Sequence, residues 1–329
     1  MRFRAGLLVL ALGTSAPAQD PRTLAAHDGW VGGVAFFPDG KLLATASADH
    51  NARLWDVGAA TTTELLKGHT DIVAAVAVSP DGRHVATAGY DKTARLWDPE
   101  TGEARHILRG HRGAVLAVAF SHDAKTLATA GIDGDIRLWD PGLGREVAVL
   151  RGHRSWVNGL AFAPDGETLA SASSDNTVRL WDVPNRKDRA VLRPNAAEIR
   201  CVAVSPDGSL VAAGTRYGLV KVWDMVGRQE TATLRGHGGD VWSVAFSGDG
   251  TTLASADGEW NKPGAVRLWD VGTWKERTVL KHTGEVLSVA FAPKAAVLAA
   301  GSWDKTVRVW DFRKPGPADK LPEPRELKK

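Results

Sequence analysis

The chain has 329 residues, with 41 Lys and Arg against 38 Asp and Glu, a formal net charge of +3, one cysteine and 13 tryptophans. So small a positive excess argues against a broad electrostatic footprint for nucleic acid, and one cysteine excludes an internal disulfide. Length alone suggests about two domains, a prior that the repeats below displace.

In chain order, the first segment reads as a leader. Arg2 and Arg4 form a basic start, residues 5–13 (AGLLVLALG) a short apolar run, and Ala16-Pro17-Ala18 a small-x-small cleavage site. This predicts a signal peptide over residues 1–18 and a mature start at Gln19. The apolar run is too short to anchor the chain across a bilayer. Removing Arg2 and Arg4 would leave 39 basic residues against 38 acidic ones. The expected location is periplasmic or secreted, and cytoplasmic if the start is misassigned.

Next come seven Trp-Asp pairs, at Trp55-Asp56, Trp97-Asp98, Trp139-Asp140, Trp181-Asp182, Trp223-Asp224, Trp269-Asp270 and Trp310-Asp311, spaced by 42, 42, 42, 42, 46 and 41 residues. A constant period of this size is one supersecondary unit repeated. Within the fourth copy, short apolar runs are separated by Pro164-Asp165-Gly166 and Ser174-Asp175-Asn176. Alternating runs between such turns read as strands, four per period, and no helical periodicity competes. Gly-His pairs at Gly68-His69, Gly110-His111, Gly152-His153 and Gly236-His237 mark the unit starts.

With these motifs the chain resembles the WD40 repeat family over roughly residues 20–312 and, behind its leader, exported repeat proteins of bacterial type. The resemblance implies an all-β, seven-bladed propeller of four antiparallel strands per blade, spanning residues 19–312. Segments such as Leu65-Lys67 after each of the first six Trp-Asp pairs supply an outer strand. After Trp310-Asp311 comes only a proline-rich segment, 313–329, which is a poor strand and reads as a disordered tail. Residues Pro21–Ala25 copy the missing element. The N-terminal strand is therefore expected to complete blade seven and remove the open edges.

The set His153, Ser173, Asp175 and Trp181 looks like a catalytic triad with an aromatic neighbour, but it recurs as His27, Ser47, Asp49, Trp55 and as His282, Ser302, Asp304, Trp310. The resemblance implies a structural tetrad, with Trp donating to Ser, Ser to His and His to Asp. Blades two and three carry Gly89 and Gly131 in the hydroxyl column, so their chains are expected to be broken. Blade five carries Asn195 and Tyr217 for His and Asp. Blade six carries Asp257 in the hydroxyl column, no evident turn Asp, and four extra residues within 257–265. Blades five and six are expected to be the least rigid or to be specialised. Cys201 falls in an inner strand where the other copies carry Gly33, Ala75, Ala117, Gly159, Ser243 and Ser288, and reads as a small buried side chain. His50, His84, His106 and His122 are scattered singly, without metal-ligand spacing. No catalytic residue, cofactor or metal is assigned.

In rings of this family one rim is built from the loop entering the inner strand and the turn between the second and third strands. Carried over residue by residue, that rim holds Trp30, Tyr90, Ile132, Trp156, Glu198, Arg200, Asp240, Trp242, Trp260, Glu285 and Trp303. Five of the six tryptophans outside the Trp-Asp pairs lie there, and only Trp274 does not. Rim aromatics mark a binding surface, although some could instead plug the channel or pack on loops. Glu198, Asp240 and Glu285 occupy equivalent places on three successive blades. With Trp242 and Trp303 they form a candidate acceptor for a partner's Lys or Arg, unless Arg200 and Arg216 neutralise them. The expected function is that of a monomeric, non-catalytic scaffold for a protein or peptide partner. The alternatives are a hydrolase with its site at the channel mouth and a glycan-binding propeller.

Overall fold

The structure is a computed structural model that describes residues 21–25, 27–194 and 197–313. The expected leader, Asn195, and the tail beyond Arg313 lie outside the described residues. Within them the chain forms seven four-stranded antiparallel sheets and no helix. Blade one runs Val31–Phe36, Leu42–Ser47, Asn51–Asp56 and Thr61–Lys67, from the inner strand outward. Blades two to six repeat that order.

Blade seven contributes Val286–Phe291, Val297–Ser302 and Val307–Asp311. Its fourth strand is Arg22–Leu24, paired antiparallel with Arg22 opposite Val309 and Leu24 opposite Val307. Leu24 is buried against Val31, Val307 and Val309, so the closing strand is held by apolar contact as well as by its ladder.

The core lies between blades. In each contact one blade offers its second strand, built of small residues such as Leu42–Ser47 (LLATAS). The next blade lays its Trp across it: Ala44, Ala46, Leu54 and Leu66 of blade one pack with Val73, Val85 and Trp97 of blade two. Alanines let the two sheets approach closely, and the indole fills the space left. In blades one to six a bulge falls at the residue pair that ends in this Trp, as at Leu54/Trp55. A bulge bends and twists its strand, which helps aim the indole between sheets.

Every inner strand carries a second bulge, just before the column of small residues that includes Cys201. That column meets the neighbouring inner strand. A Cβ on Gly33 would lie 2.9 Å from Val76 N, and one on Gly159 would lie 3.1 Å from Cys201 Cα. Where the residue has a polar tip it bonds across the blade boundary. Val34 N–H donates to Ser288 Oγ at 3.1 Å, Val289 N–H to Ser243 Oγ at 3.1 Å, and the Cys201 thiol to Val241 O at 3.5 Å. Burial pushes the Cys201 thiol up to about 12, so it is a packing residue and not a thiolate nucleophile.

Candidate functional site

The hydrogen-bonded tetrads are present, but with a different hydroxyl. In blade one the Trp55 indole N–H donates to Thr45 Oγ1 at 2.9 Å. That hydroxyl lies 2.7 Å from His27 Nε2, and His27 Nδ1 lies 2.8 Å from Asp49 Oδ2. Ser47 is not the link: it receives the Asp49 N–H and donates to Gly29 O. Strand alternation puts residues 45 and 47 on the same face. Trp55 is opposite Leu43, and its indole reaches the diagonal neighbour Thr45, not Ser47 one step further on.

The same shift corrects the other copies. Blade four uses Ser171, 2.8 Å from Trp181 Nε1 and 2.7 Å from His153, and Ser173 instead receives the Asp175 N–H. Blades two and three, expected to be broken at Gly89 and Gly131, are complete through Thr87 and Thr129. In blade six Ser255 is the hydroxyl, and Asp257 is the acid. His237 Nδ1 lies 2.9 Å from Asp257 Oδ2, close but off the line a hydrogen bond needs. In blade seven Ser302 is likewise displaced from the chain. The true position is Ala300, and the buried His282 Nε2 has no partner among the described residues. Blade five has Ala213 in that column.

Burial alone would raise the Asp49 and Asp175 carboxyls. Hydrogen bonds from His27 and His153, with backbone N–H groups and the Thr177 hydroxyl, outweigh it and hold both far below the usual carboxylate range. Burial pulls His69 and His111 down, against the pull of Asp91 and Asp133. Each of these imidazoles is bonded on both ring nitrogens, to a turn Asp and a strand Thr, and so fastens those side chains together.

On the rim, three of the five tryptophans come together. Trp30 of blade one stacks on Trp303 of blade seven, with ring centroids 5.5 Å apart and planes 10° apart. Trp260, in the blade-six insertion, meets Trp303 edge-on at 5.0 Å and 68°. Trp260 is 64% exposed and Trp303 37%. Trp156 is exposed but stands apart on blade four, and Tyr90 is exposed on blade two. Ile132 is half-buried against Gly113.

Trp242 is tied into the charged sector, with the Arg200 guanidinium 4.9 Å from its ring centroid. Arg200 also bridges Glu198 at 3.1 Å and Asp240 at 3.0 Å, and Arg216 holds Glu198 at 2.9 Å. Two of the three rim carboxylates are thus neutralised from within. Glu285, the third, is 6% exposed, and no hydrogen bond or ion pair reaches its carboxylate among the described residues. Burial, then the nearby Asp240 and Glu259, raises its carboxyl above the ordinary value. Sequence reasoning missed Glu259 and its ion pair with Lys262 at 2.7 Å. No group of three or more His, Cys, Asp or Glu among the described residues is placed to hold a metal ion.

Comparison with known proteins fits this architecture. The chain matches the family described as "IFT122 first beta-propeller" over residues 94–314, and the family described as "WD domain, G-beta repeat" over residues 19–56 and 60–98. A 62-residue segment is 42% identical to the Periodic tryptophan protein 2 homolog of Schizosaccharomyces pombe, covering 18% of this chain and 7% of that protein. A 63-residue segment is 38% identical to the Apoptotic protease-activating factor 1 of Rattus norvegicus, covering 19% of this chain and 5% of that protein. Both relatives are eukaryotic, and the likeness spans only a small part of either. Seven closed blades and family matches along their length make this chain a WD40-repeat β-propeller, a member of the family of the IFT122 first beta-propeller.

Proposed function

We propose that this propeller is a non-catalytic scaffold that docks a protein or peptide on the tryptophan-lined rim of blades six, seven and one. The observation that carries this reading is the Trp30–Trp303–Trp260 cluster. It joins three blades at the surface, outside the inter-blade core, and leaves large aromatic area in water. Exposed aromatic clusters of this kind anchor interfaces. A ring held by seven inter-blade cores presents them pre-ordered, so little entropy is lost on docking. Membership of a repeat family whose propellers generally bind proteins agrees with it.

A photo-crosslinking amino acid at position 260, used in the native host, tests the reading. A discrete adduct that disappears in Trp303→Ala supports rim docking. Adducts forming equally well from position 147, on the outer wall, overturn it. Export of the scaffold is part of the proposal and rests on the residue 1–18 pattern; N-terminal sequencing of host-derived protein should begin at Gln19.

A further inference from the structure

We propose that Glu285, together with Trp303 and Trp260, forms a site for a lysine-type ammonium group carried by the docked partner. The inference rests on the docking role proposed above and names the chemistry that the rim recognises.

Four carboxylates occupy this sector: Glu198, Asp240, Glu259 and Glu285. Arg216 and Arg200 hold Glu198, Arg200 also holds Asp240, and Lys262 holds Glu259. Only Glu285 has no cation among the described residues, and it is the most buried of the four. An ionised carboxylate withdrawn from water without a partner is costly, and a cation delivered to it recovers that cost. The charges felt at Glu285 are both negative, from Asp240 and Glu259, and burial weighs more than either. No positive charge offsets these two at Glu285 among the described residues, although Arg200 and Lys262 pair with Asp240 and Glu259 themselves.

The turns that carry the tryptophans lie beside Glu285. The Trp303 N–H donates to the Glu285 carbonyl at 2.9 Å, which fixes the turn bearing Trp303 to the start of the blade-seven inner strand. On the other side a Cβ on Gly258 would lie 2.4 Å from Glu285 Cβ. Only glycine lets the loop that carries Trp260 two residues later come this close. Trp260 and Trp303 meet at 68°, so their faces form a two-walled corner. Trp30 covers one face of Trp303, and Trp260, more exposed than Trp303, offers the larger open indole area. Indole faces attract a cation, most strongly where water is excluded, and a carboxylate nearby adds an ion pair. A compact ammonium suits a corner, whereas a guanidinium prefers a single flat face with a bidentate acceptor. The Arg200–Trp242 contact, with Asp240 as acceptor, is that second arrangement within the same rim.

The full-length chain can be titrated, following tryptophan fluorescence, with N-acetyl-lysine methylamide, its Nε-trimethyl form and its neutral Nε-acetyl form. Both ammonium probes should quench saturably, and the neutral probe should bind about tenfold more weakly, a difference of about 1.4 kcal/mol. Glu285→Gln should show the same loss for the ammonium probes. Because Glu285 is buried, Trp260→Ala, at an exposed position, is the second variant and should lose them too. Equal binding of charged and neutral probes, lost in Trp260→Ala, overturns the ammonium site while leaving the aromatic rim as a docking surface. Tighter binding of N-acetyl-arginine methylamide overturns the choice of ammonium. No binding by any probe also overturns the site, and rim docking is then judged separately by crosslinking at position 260.

Discussion

The indole of Trp30 lies flat on that of Trp303, centroids 5.5 Å apart, although the two residues come from the first and last blades. The stack bridges the seam where the ring closes, and Trp260 extends it onto blade six. The candidate docking surface thus depends in part on closure: with the seam open, Trp30 would be lost from the cluster and only the Trp260–Trp303 pair would remain.

Trp303→Ala should therefore remove the shared contact of the cluster. Stacked aromatic pairs add about 0.5–1.5 kcal/mol beyond area burial, so a stability loss of about 1 kcal/mol in denaturant unfolding is expected. Near-ultraviolet circular dichroism should lose the signal of the coupled indoles. An unchanged spectrum would show that the rings do not stack in solution.

Leu24→Ala tests closure itself. Leu24 is 2% exposed in the seam core, and truncating a buried Leu costs about 2–5 kcal/mol. Protease accessibility at blade seven should rise along with the fall in stability; cleavage spread evenly over all blades would argue against a seam.

The corrected tetrads make a contrast. Thr87→Val keeps the shape but orphans His69 Nε2 and the Trp97 indole N–H, at about 1–3 kcal/mol for a buried unsatisfied group. Gly89 lies outside that chain. A Thr87→Val variant as stable as the native protein in urea would reject the assignment.

Ala300→Ser should have the opposite sign. Blades four and six place Ser171 and Ser255 in this column, and blade seven leaves His282 Nε2 unpartnered at Ala300. Supplying the hydroxyl should stabilise the ring by about 1 kcal/mol, read as a higher melting temperature.

Acid should unfold the ring in two stages. His69 and His111 have folded pKa values lowered from 6.5, so their contribution is whole above about pH 6.5 and declines as pH falls below it. Asp49, Asp175 and Asp304 are lowered from 3.8, so theirs holds until about pH 4 and is lost below that. Urea midpoints measured from pH 8 to pH 2 should show both declines; a midpoint flat from pH 7 to 5 would exclude the histidine stage.

The period of the Trp-Asp pairs made blade number and closure legible, because one residue type at a fixed interval survives any uncertainty about strand ends. The tetrad hydroxyl was not legible in the same way. In blades one and four columns 45 and 47 both carry hydroxyls and point to one face, and choosing between them needs the diagonal reach of the indole. In blade six Asp257 keeps the column of Ser47 but supplies the acid, and the insertion after it hides the hydroxyl: Ser255 is 14 residues before Trp269, where blade one has a separation of 10. On the rim, the places of Trp30, Trp260 and Trp303 could be assigned but not their contact. The lone state of Glu285 follows only from seeing which carboxylates Arg200 and Arg216 reach.

Arg22 finds its partner in Val309, at the far end of the described chain. During synthesis Arg22–Leu24 leaves the ribosome long before the strand it pairs with, Val307–Asp311. At about 5–20 residues per second that delay is on the order of 15–60 s. Throughout it, Arg22–Leu24 has no ladder to join; once Val307–Asp311 emerges, its bare edge is open to any other strand until the chain's own beginning arrives. The same three-residue strand that finishes the ring therefore also covers the last edge that synthesis leaves bare.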